Sequence, residues 1–251
     1  MRKTYCLLLA FLFLISCASK NVTTQKKIEI AMATQKVGEE YYNAGHYTAA
    51  LKKLLEAYKT IPDDPYLHNS LGLVYLAKER YNLAEKHFKT ALNFKTDYVN
   101  AKNNLGATYL KQKKWDLAVK CFQEVSDNLL YATPERPLSN LGWVYYHQQM
   151  YKLAKSYFNK ALDVHPDFLI AIHGISSLYI KTGYHAKAIT FLHYKLKTNP
   201  GAAILHSDLA KAYEGLKDYN QAKRSWELVL RLVPSTSPLA REAQVKLLQL
   251  N

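Results

Sequence analysis

Small and bulky side chains return along this chain at a fixed spacing, with polar positions filling the intervals between them. Alanines stand at Ala50, Ala84, Ala118, Ala154, Ala188 and Ala222, separated by 34, 34, 36, 34 and 34 residues. Nine residues before each comes a tyrosine: Tyr41, Tyr75, Tyr109, Tyr145, Tyr179 and Tyr213. Four residues after each comes a bulky apolar side chain: Leu54, Phe88, Phe122, Phe158, Leu192 and Trp226. A small residue precedes each tyrosine by three, as Gly38, Gly72, Gly106, Gly142, Ser176 and Ala210. Recurrence at three and four residues marks one buried face of a helix, and a period of this length marks a stacked supersecondary unit. Each unit is expected to hold two antiparallel helices, A and B. Small residues, such as Gly72 on helix A and Ala84 on helix B, occupy the crossing points, and the tyrosine and the bulky residue fill the space between. The tyrosine and phenylalanine stripe then reads as core, not as a cofactor box. A second alanine, as in Ala57, Ala91 and Ala161, lets the next helix A dock, because no unit buries its apolar face alone. Pro62, Pro166, Pro200 and Pro234 close four of the units, since proline ends a helix.

These marks place units at 31–64, 65–98, 99–134, 135–168, 169–202 and 203–236. The third is two residues longer. Its join, Tyr131-Ala132-Thr133-Pro134-Glu135-Arg136-Pro137, is expected to run extended, because proline biases its predecessor away from helix. Ser237-Pro238 reads as a helix cap with proline at the first helical position. The segment 237–251 is then a capping helix with Leu239, Ala243, Leu247 and Leu250 on one face.

The pattern resembles the tetratricopeptide repeat (TPR), and the resemblance covers about residues 31–236. It implies an all-α, right-handed superhelical solenoid of six helix-turn-helix units with a C-terminal capping helix. It also implies that helix A of each unit lines a concave groove. The inward positions include Tyr42, Asn69, Leu73, Leu76, Asn103, Leu110, Arg136, Trp143, Tyr146 and Ile180. An apolar and aromatic wall edged with amides suits an apolar helix or an extended peptide, with the large rings as anchors. The Lys and Asn arrangement with which chaperone-type TPRs clamp a C-terminal carboxylate is absent from every register.

The N-terminus adds a compartment. Met1-Arg2-Lys3 is basic, and the apolar run Leu7–Ile15 is too short to cross a hydrocarbon core that needs about twenty residues. Residues 1–16 therefore read as a secretory signal peptide. Leu14-Ile15-Ser16-Cys17 resembles a bacterial lipobox, which implies that Cys17 carries a lipid on sulfur and becomes an acylated N-terminus. Two or more acyl chains anchor stably. Ala18 in place of aspartate points to the outer membrane, with the protein on its periplasmic face. Residues 17–30 form the lipidated N-terminus and tether, polar from Ser19 to about Gln25.

Charge changes the picture little. The chain carries 34 Lys and Arg against 20 Asp and Glu, a net +14. Such a balance favours anionic partners, yet an exported protein does not meet chromosomal DNA, so no nucleic-acid role is expected. Losing Arg2 and Lys3 leaves 32 basic residues against 20, and the excess reads first as a solvated basic surface. With cysteines only at Cys6, Cys17 and Cys121, no disulfide framework is available. No two of the nine histidines lie four apart, and no nucleophile elbow, phosphate loop or dinucleotide fingerprint occurs. Cys121 on helix B of the third unit reads as a small semi-buried apolar residue; an enzyme using its thiol is the remote alternative. No catalytic residue, metal or cofactor is expected.

Lipobox, tether, six repeats and closing helix together resemble the type IV pilus pilotins, the PilF/PilW/Tgl family. The segment Leu129-Leu130-Tyr131-Ala132-Thr133-Pro134-Glu135-Arg136, followed by Asn140-Leu141-Gly142, looks like the corresponding stretch of that family. The resemblance implies a monomeric lipoprotein that binds a subunit of the pilus secretin and promotes its outer-membrane localisation and multimer assembly, without chemistry. The alternative within binding proteins is a TPR lipoprotein that organises cell-wall hydrolases or outer-membrane protein assembly.

Overall fold

The computed structural model describes residues 24–128 and 132–250. The expected signal peptide 1–16, Cys17 with its expected lipid, the first residues of the expected tether and positions 129–131 of the join lie outside the described residues. Among those described there are thirteen helices and no strand. In chain order they are α1 (24–43), α2 (Tyr47–Tyr58), α3 (Pro65–Ala77), α4 (Tyr81–Phe94), α5 (Val99–Lys111), α6 (Trp115–Ser126), α7 (Glu135–His147), α8 (Tyr151–Val164), α9 (Leu169–Lys181), α10 (His185–Leu196), α11 (Ala203–Gly215), α12 (Tyr219–Leu232) and α13 (Pro238–Gln249). They fall into two compact units divided after Lys114, so α1–α5 belong to the first and α6–α13 to the second. The division lies between α5 and α6, not at the long join.

The repeat is written into the backbone as well as the side chains. One residue in each turn between paired helices has a left-handed φ: Gly45, Glu79, Lys113, Gln149, Gly183 and Lys217. Their spacing reproduces the 34, 34, 36, 34, 34 series of the alanines. At each turn the next amide closes a Schellman motif. The Arg80 N–H donates to Tyr75 O at 2.8 Å while the Glu79 N–H donates to Leu76 O at 3.0 Å. The recurrent tyrosines 41, 75, 109, 145, 179 and 213 all supply the accepting carbonyl of the longer loop. Their position is thus fixed by the helix end as well as by packing.

All six alanines and all six bulky residues of the series have no accessible surface. The small residue on the first helix exists for the bulky one on the second. A Cβ built on Gly72 would sit 2.5 Å from Phe88, one on Gly142 2.6 Å from Phe158, and one on Gly38 2.8 Å from Leu54. The tyrosines do not fully join this core. Tyr109 is 5% exposed but Tyr41 is 39% exposed, and the other four are half-buried. The ring body packs while the hydroxyl reaches the surface, as expected of an amphipathic side chain. Tyr75 stacks on His87 at 5.3 Å, and Tyr213 Oη lies 3.0 Å from His193 Nε2.

Two local expectations need correction. The described part of α1 begins at residue 24, so 24–30 are helical; Ala31, next to that segment, is buried in one cluster with Ala50, Leu54 and Leu71. The join is also less extended than expected. Pro137 lies inside the first turn of α7, where the N–H it lacks would have no helical partner, and Pro134 is the helical-φ N-cap (φ −65°, ψ −19°). The end of the chain follows its sequence: Ser237 Oγ accepts from Ala240 N at 3.1 Å, and Leu239, Ala243, Leu247 and Leu250 pack around Trp226 and Val229.

A pair of histidines in the first unit gives a pH prediction. His68 Nε2 lies 2.8 Å from Pro62 O, a pure acceptor, so that nitrogen carries the proton. Its Nδ1 then accepts from His87 Nδ1 at 2.9 Å. Burial, then His68 and Lys86, push His87 down from 6.5 to about 4. A depressed histidine favours the neutral form, so its contribution is complete above the unfolded value of 6.5 and disappears as pH falls towards 4. Because the ring is only half-buried, the loss is expected to be roughly 1–2 kcal/mol, less than the full shift implies. Denaturant titrations across this range should show the loss in the parent and a flatter profile in His87→Gln; a parent profile without it contradicts the packing.

Candidate functional site

The first unit carries a cavity of about 490 Å³ between α1 and α3. From α1 come Met32, Gln35, Lys36, Glu39, Tyr42 and Asn43, which recur at helical spacing and so share a face. From α3 come Tyr66, Asn69, Ser70 and Leu73, and Tyr98 closes the far side. The floor is Leu54, the bulky residue of the first pair. Polar groups are tied to one another. Ser70 Oγ donates to Glu39 Oε1 at 2.6 Å, and Gln35 Nε2 donates to the same oxygen at 2.9 Å. Asn104 Nδ2 donates to Asn69 Oδ1 at 3.0 Å. Tyr66 and Tyr98 meet edge to face at 5.1 Å, with Lys95 Nζ 2.7 Å from Tyr66 Oη. Burial, then Tyr66, Glu39 and Asp64, push the Tyr98 phenol up to about 12, and burial and Tyr47 push Tyr42 up. Both remain hydroxyl donors at neutral pH. An apolar floor, rigid rings and pre-bonded amides and carboxylates make a surface that can hold a polypeptide segment.

The second unit has a different arrangement. Trp143 lies 5.2 Å from Tyr146, 6.1 Å from His147 and 5.2 Å from His173, and His147 stacks on Trp115 at 5.9 Å. Burial, then Tyr151 and Asp208, push the Tyr146 phenol up. Behind the ring strip, Asp208 is buried on α11. His173 Nδ1 is 2.7 Å from Asp208 Oδ2, and Ser176 Oγ donates to the same oxygen at 2.5 Å. Ser177 Oγ stands 3.4 Å from the same Nδ1. Both hydroxyls therefore sit on the carboxylate side of the imidazole. None of the described hydroxyls is placed at Nε2, where a serine nucleophile would have to be to lose its proton. What the geometry provides is an imidazole held at fixed orientation beside Trp143.

The predicted groove residues are distributed as follows. Tyr42, Asn69 and Leu73 line the cavity of the first unit, while Leu76 and Leu110 are half-buried outside it and Asn103 is buried on α5. In the second unit Trp143 and Tyr146 are in contact, Arg136 is exposed at the start of α7, and Ile180 packs against Ile172, Leu192 and Leu205. Sequence reasoning missed Met32, Glu39, Tyr66 and Tyr98, along with the His173–Asp208 pair. Cys121 is half-buried on α6. Among the described residues, no three potential metal ligands gather, and no helix is long and apolar enough to cross a membrane.

Comparison with known proteins places this geometry. The chain is 27% identical over 186 residues to BBSome complex member BBS4 of Bos taurus, which covers 72% of this chain but only 36% of that protein. Among solved structures, PilF of Pseudomonas aeruginosa superposes with a TM-score of 0.64 at 22% identity, over 88% of this chain and 99% of that one. PilW, described as a widely conserved type IV pilus biogenesis factor, gives 0.69 at 18%, over 86% and 98%. Two family models, each of the tetratricopeptide repeat, match residues 38–98 and 97–167. Together they span more than half of the sequence, and the chain belongs to the tetratricopeptide-repeat proteins.

Proposed function

We propose that this chain is an outer-membrane lipoprotein, anchored through Cys17 on the periplasmic side, that acts as a pilotin. It binds a subunit of the type IV pilus secretin and promotes its localisation and multimer assembly. Proteins of this repeat family bind protein partners, so a non-catalytic scaffold is the base of the reading. The observation that carries the finer role is the pairing of a lipobox-like Leu14–Cys17 with a repeat array that runs almost the full length of PilF and PilW. The surfaces that support it are the cavity around Tyr42, Asn69 and Tyr98 and the ring strip around Trp143. Tethering at the bilayer raises the effective concentration for a partner arriving there.

In a strain lacking this chain, heat-resistant secretin multimers are expected to vanish from the outer membrane while monomer accumulates. The Cys17→Ser protein is expected in the soluble periplasmic fraction, with multimers mislocalised. Normal multimers in the deletion strain would refute the pilotin role, and sedimentation of Cys17→Ser with outer membranes would refute the anchor.

A further inference from the structure

Charge in the second unit is segregated by helix. The second helices of its pairs, α8, α10 and α12, carry eight Lys or Arg and two acidic residues, Asp163 and Glu227. The first helices, α7, α9 and α11, carry three of each. Positions on the second helices and just past their ends recur with the repeat, so Asp163, Lys197 and Arg231 are equivalent, as are Lys160, Tyr194 and the half-buried Leu228. Lys152, Lys160, Lys197, Arg224 and Arg231 are all exposed, and none of the five forms an ion pair among the described residues. Asp163 and Glu227 offset only part of this charge, and like charges repel one another, so the remaining excess suits an external anion.

Exposed tyrosines stand on these same helices or at their starts. Tyr194 is 66% exposed, Tyr184 55% and Tyr219 52%. Lys187 Nζ lies 4.7 Å from the Tyr184 ring centre, Lys195 Nζ 5.6 Å from that of Tyr194, and Lys160 Nζ 4.9 Å from that of Tyr157. Val164 and Leu232 add exposed apolar surface at the helix ends. An exposed phenol beside an ammonium matches the headgroup region of a bilayer, where the ring enters the acyl boundary and the cation meets phosphate. A soluble polyanion would use the cations and leave the apolar groups idle. We infer that the outer face of α8, α10 and α12 docks on the surface of an anionic glycerophospholipid bilayer. Trp143, Tyr146 and His173 lie on the first helices α7 and α9, not on these second helices, and the role of this face does not depend on which polypeptide is bound.

The test uses the full chain carrying Cys17→Ser, so that no acyl chain contributes. It is sedimented with vesicles of phosphatidylcholine alone or of phosphatidylcholine with phosphatidylglycerol. Binding is expected only to the anionic vesicles and should weaken with salt as the screening length contracts. The quadruple variant Lys152→Glu, Lys160→Glu, Arg224→Glu, Arg231→Glu, which alters exposed side chains only, should keep its helical circular dichroism and lose about a hundredfold or more in vesicle affinity. Tyr184→Ala, Tyr194→Ala, Tyr219→Ala together should weaken vesicle binding without changing retention on soluble polyglutamate. Equal binding to both vesicle types, or an unchanged quadruple variant, would overturn the inference. Tyrosine variants indistinguishable from the parent on vesicles would reassign the face to polyanions in general.

Discussion

Replacing Phe158 with alanine is expected to lower the unfolding free energy by about 4 kcal/mol, within the range for emptying a fully buried aromatic site. Phe158 has no accessible surface and is pressed from two directions by glycines. A Cβ on Gly142 would lie 2.6 Å from its ring, and one on Gly174 would lie 2.4 Å from it. Trp143 meets the same ring at 5.4 Å. The ring thus joins three successive helices, α7, α8 and α9, and its loss uncouples a repeat from its neighbour as well as opening a cavity. The reverse substitution tests the same fit. Gly142→Val should cost about 2–3 kcal/mol by overpacking, because a buried ring cannot swing away as an exposed side chain would. Combining the two should cost less than their sum, since the valine enters the space the ring has left. Chemical denaturation of the four proteins gives the coupling. Simple additivity would mean that the two residues do not share that space.

This pairing was legible before any coordinate, and the reason is steric. A helix crossing admits only a small side chain, so the constraint repeats wherever the crossing repeats, from Gly38 and Leu54 to Gly142 and Phe158. The alanine series is buried throughout for the same reason. The tyrosines were half legible: their phase was plain, but it reflects a helix end as much as a core, and pattern alone does not tell a ring that is covered from one whose hydroxyl is wet. The helical character of 24–30 is hidden in the sequence because the polar run from Ser19 to about Gln25 reads as a tether and leads into it; the stripe of Met32, Gln35, Glu39 and Tyr42 is hidden with it.

The ladder pairs were harder. His173 and Asp208 are 35 residues apart, as are Asn69 and Asn104. Neighbouring first helices are one repeat of 34 residues apart and these contacts fall one residue further on, so the spacing held the information once the period was known. What it did not hold was the choice of partner, because a polar side chain on a helix edge turns to water unless a neighbour's rotamer meets it. The basic face of α8, α10 and α12 was hidden for a related reason. A net charge of +14 says nothing of its distribution until the fold assigns the lysines to one helix of each pair.

At the C-terminal end, Trp226→Ala is expected to cost about 4 kcal/mol and to release α13. Trp226 is the largest fully buried side chain and occupies the slot held by phenylalanine or leucine in earlier pairs. Helix α13 covers it: Ala243 is buried with it, Leu239, Leu247 and Leu250 pack against the same cluster, and an ion pair closes the arrangement. Trp226 Nε1 donates to Glu214 Oε1 at 2.6 Å, and Lys246 Nζ of α13 reaches Glu214 Oε2 at 2.8 Å. The indole therefore orients the carboxylate that holds the capping helix, and alanine removes both the apolar volume and that orientation. Trp226→Phe separates the two. It keeps most of the volume and loses only the N–H, so about 1 kcal/mol is expected, because Glu214 is partly exposed and water can replace the donor. Hydrogen exchange of the α13 amides reports the consequence directly. Protection should fall steeply in Trp226→Ala and slightly in Trp226→Phe, while α7 and α8 keep theirs, since each element of a repeat array is held chiefly by its neighbours. Full protection of α13 in Trp226→Ala would mean that the helix is held by its own propensity and by the Lys211–Glu242 pair, and that the cap does not depend on the tryptophan.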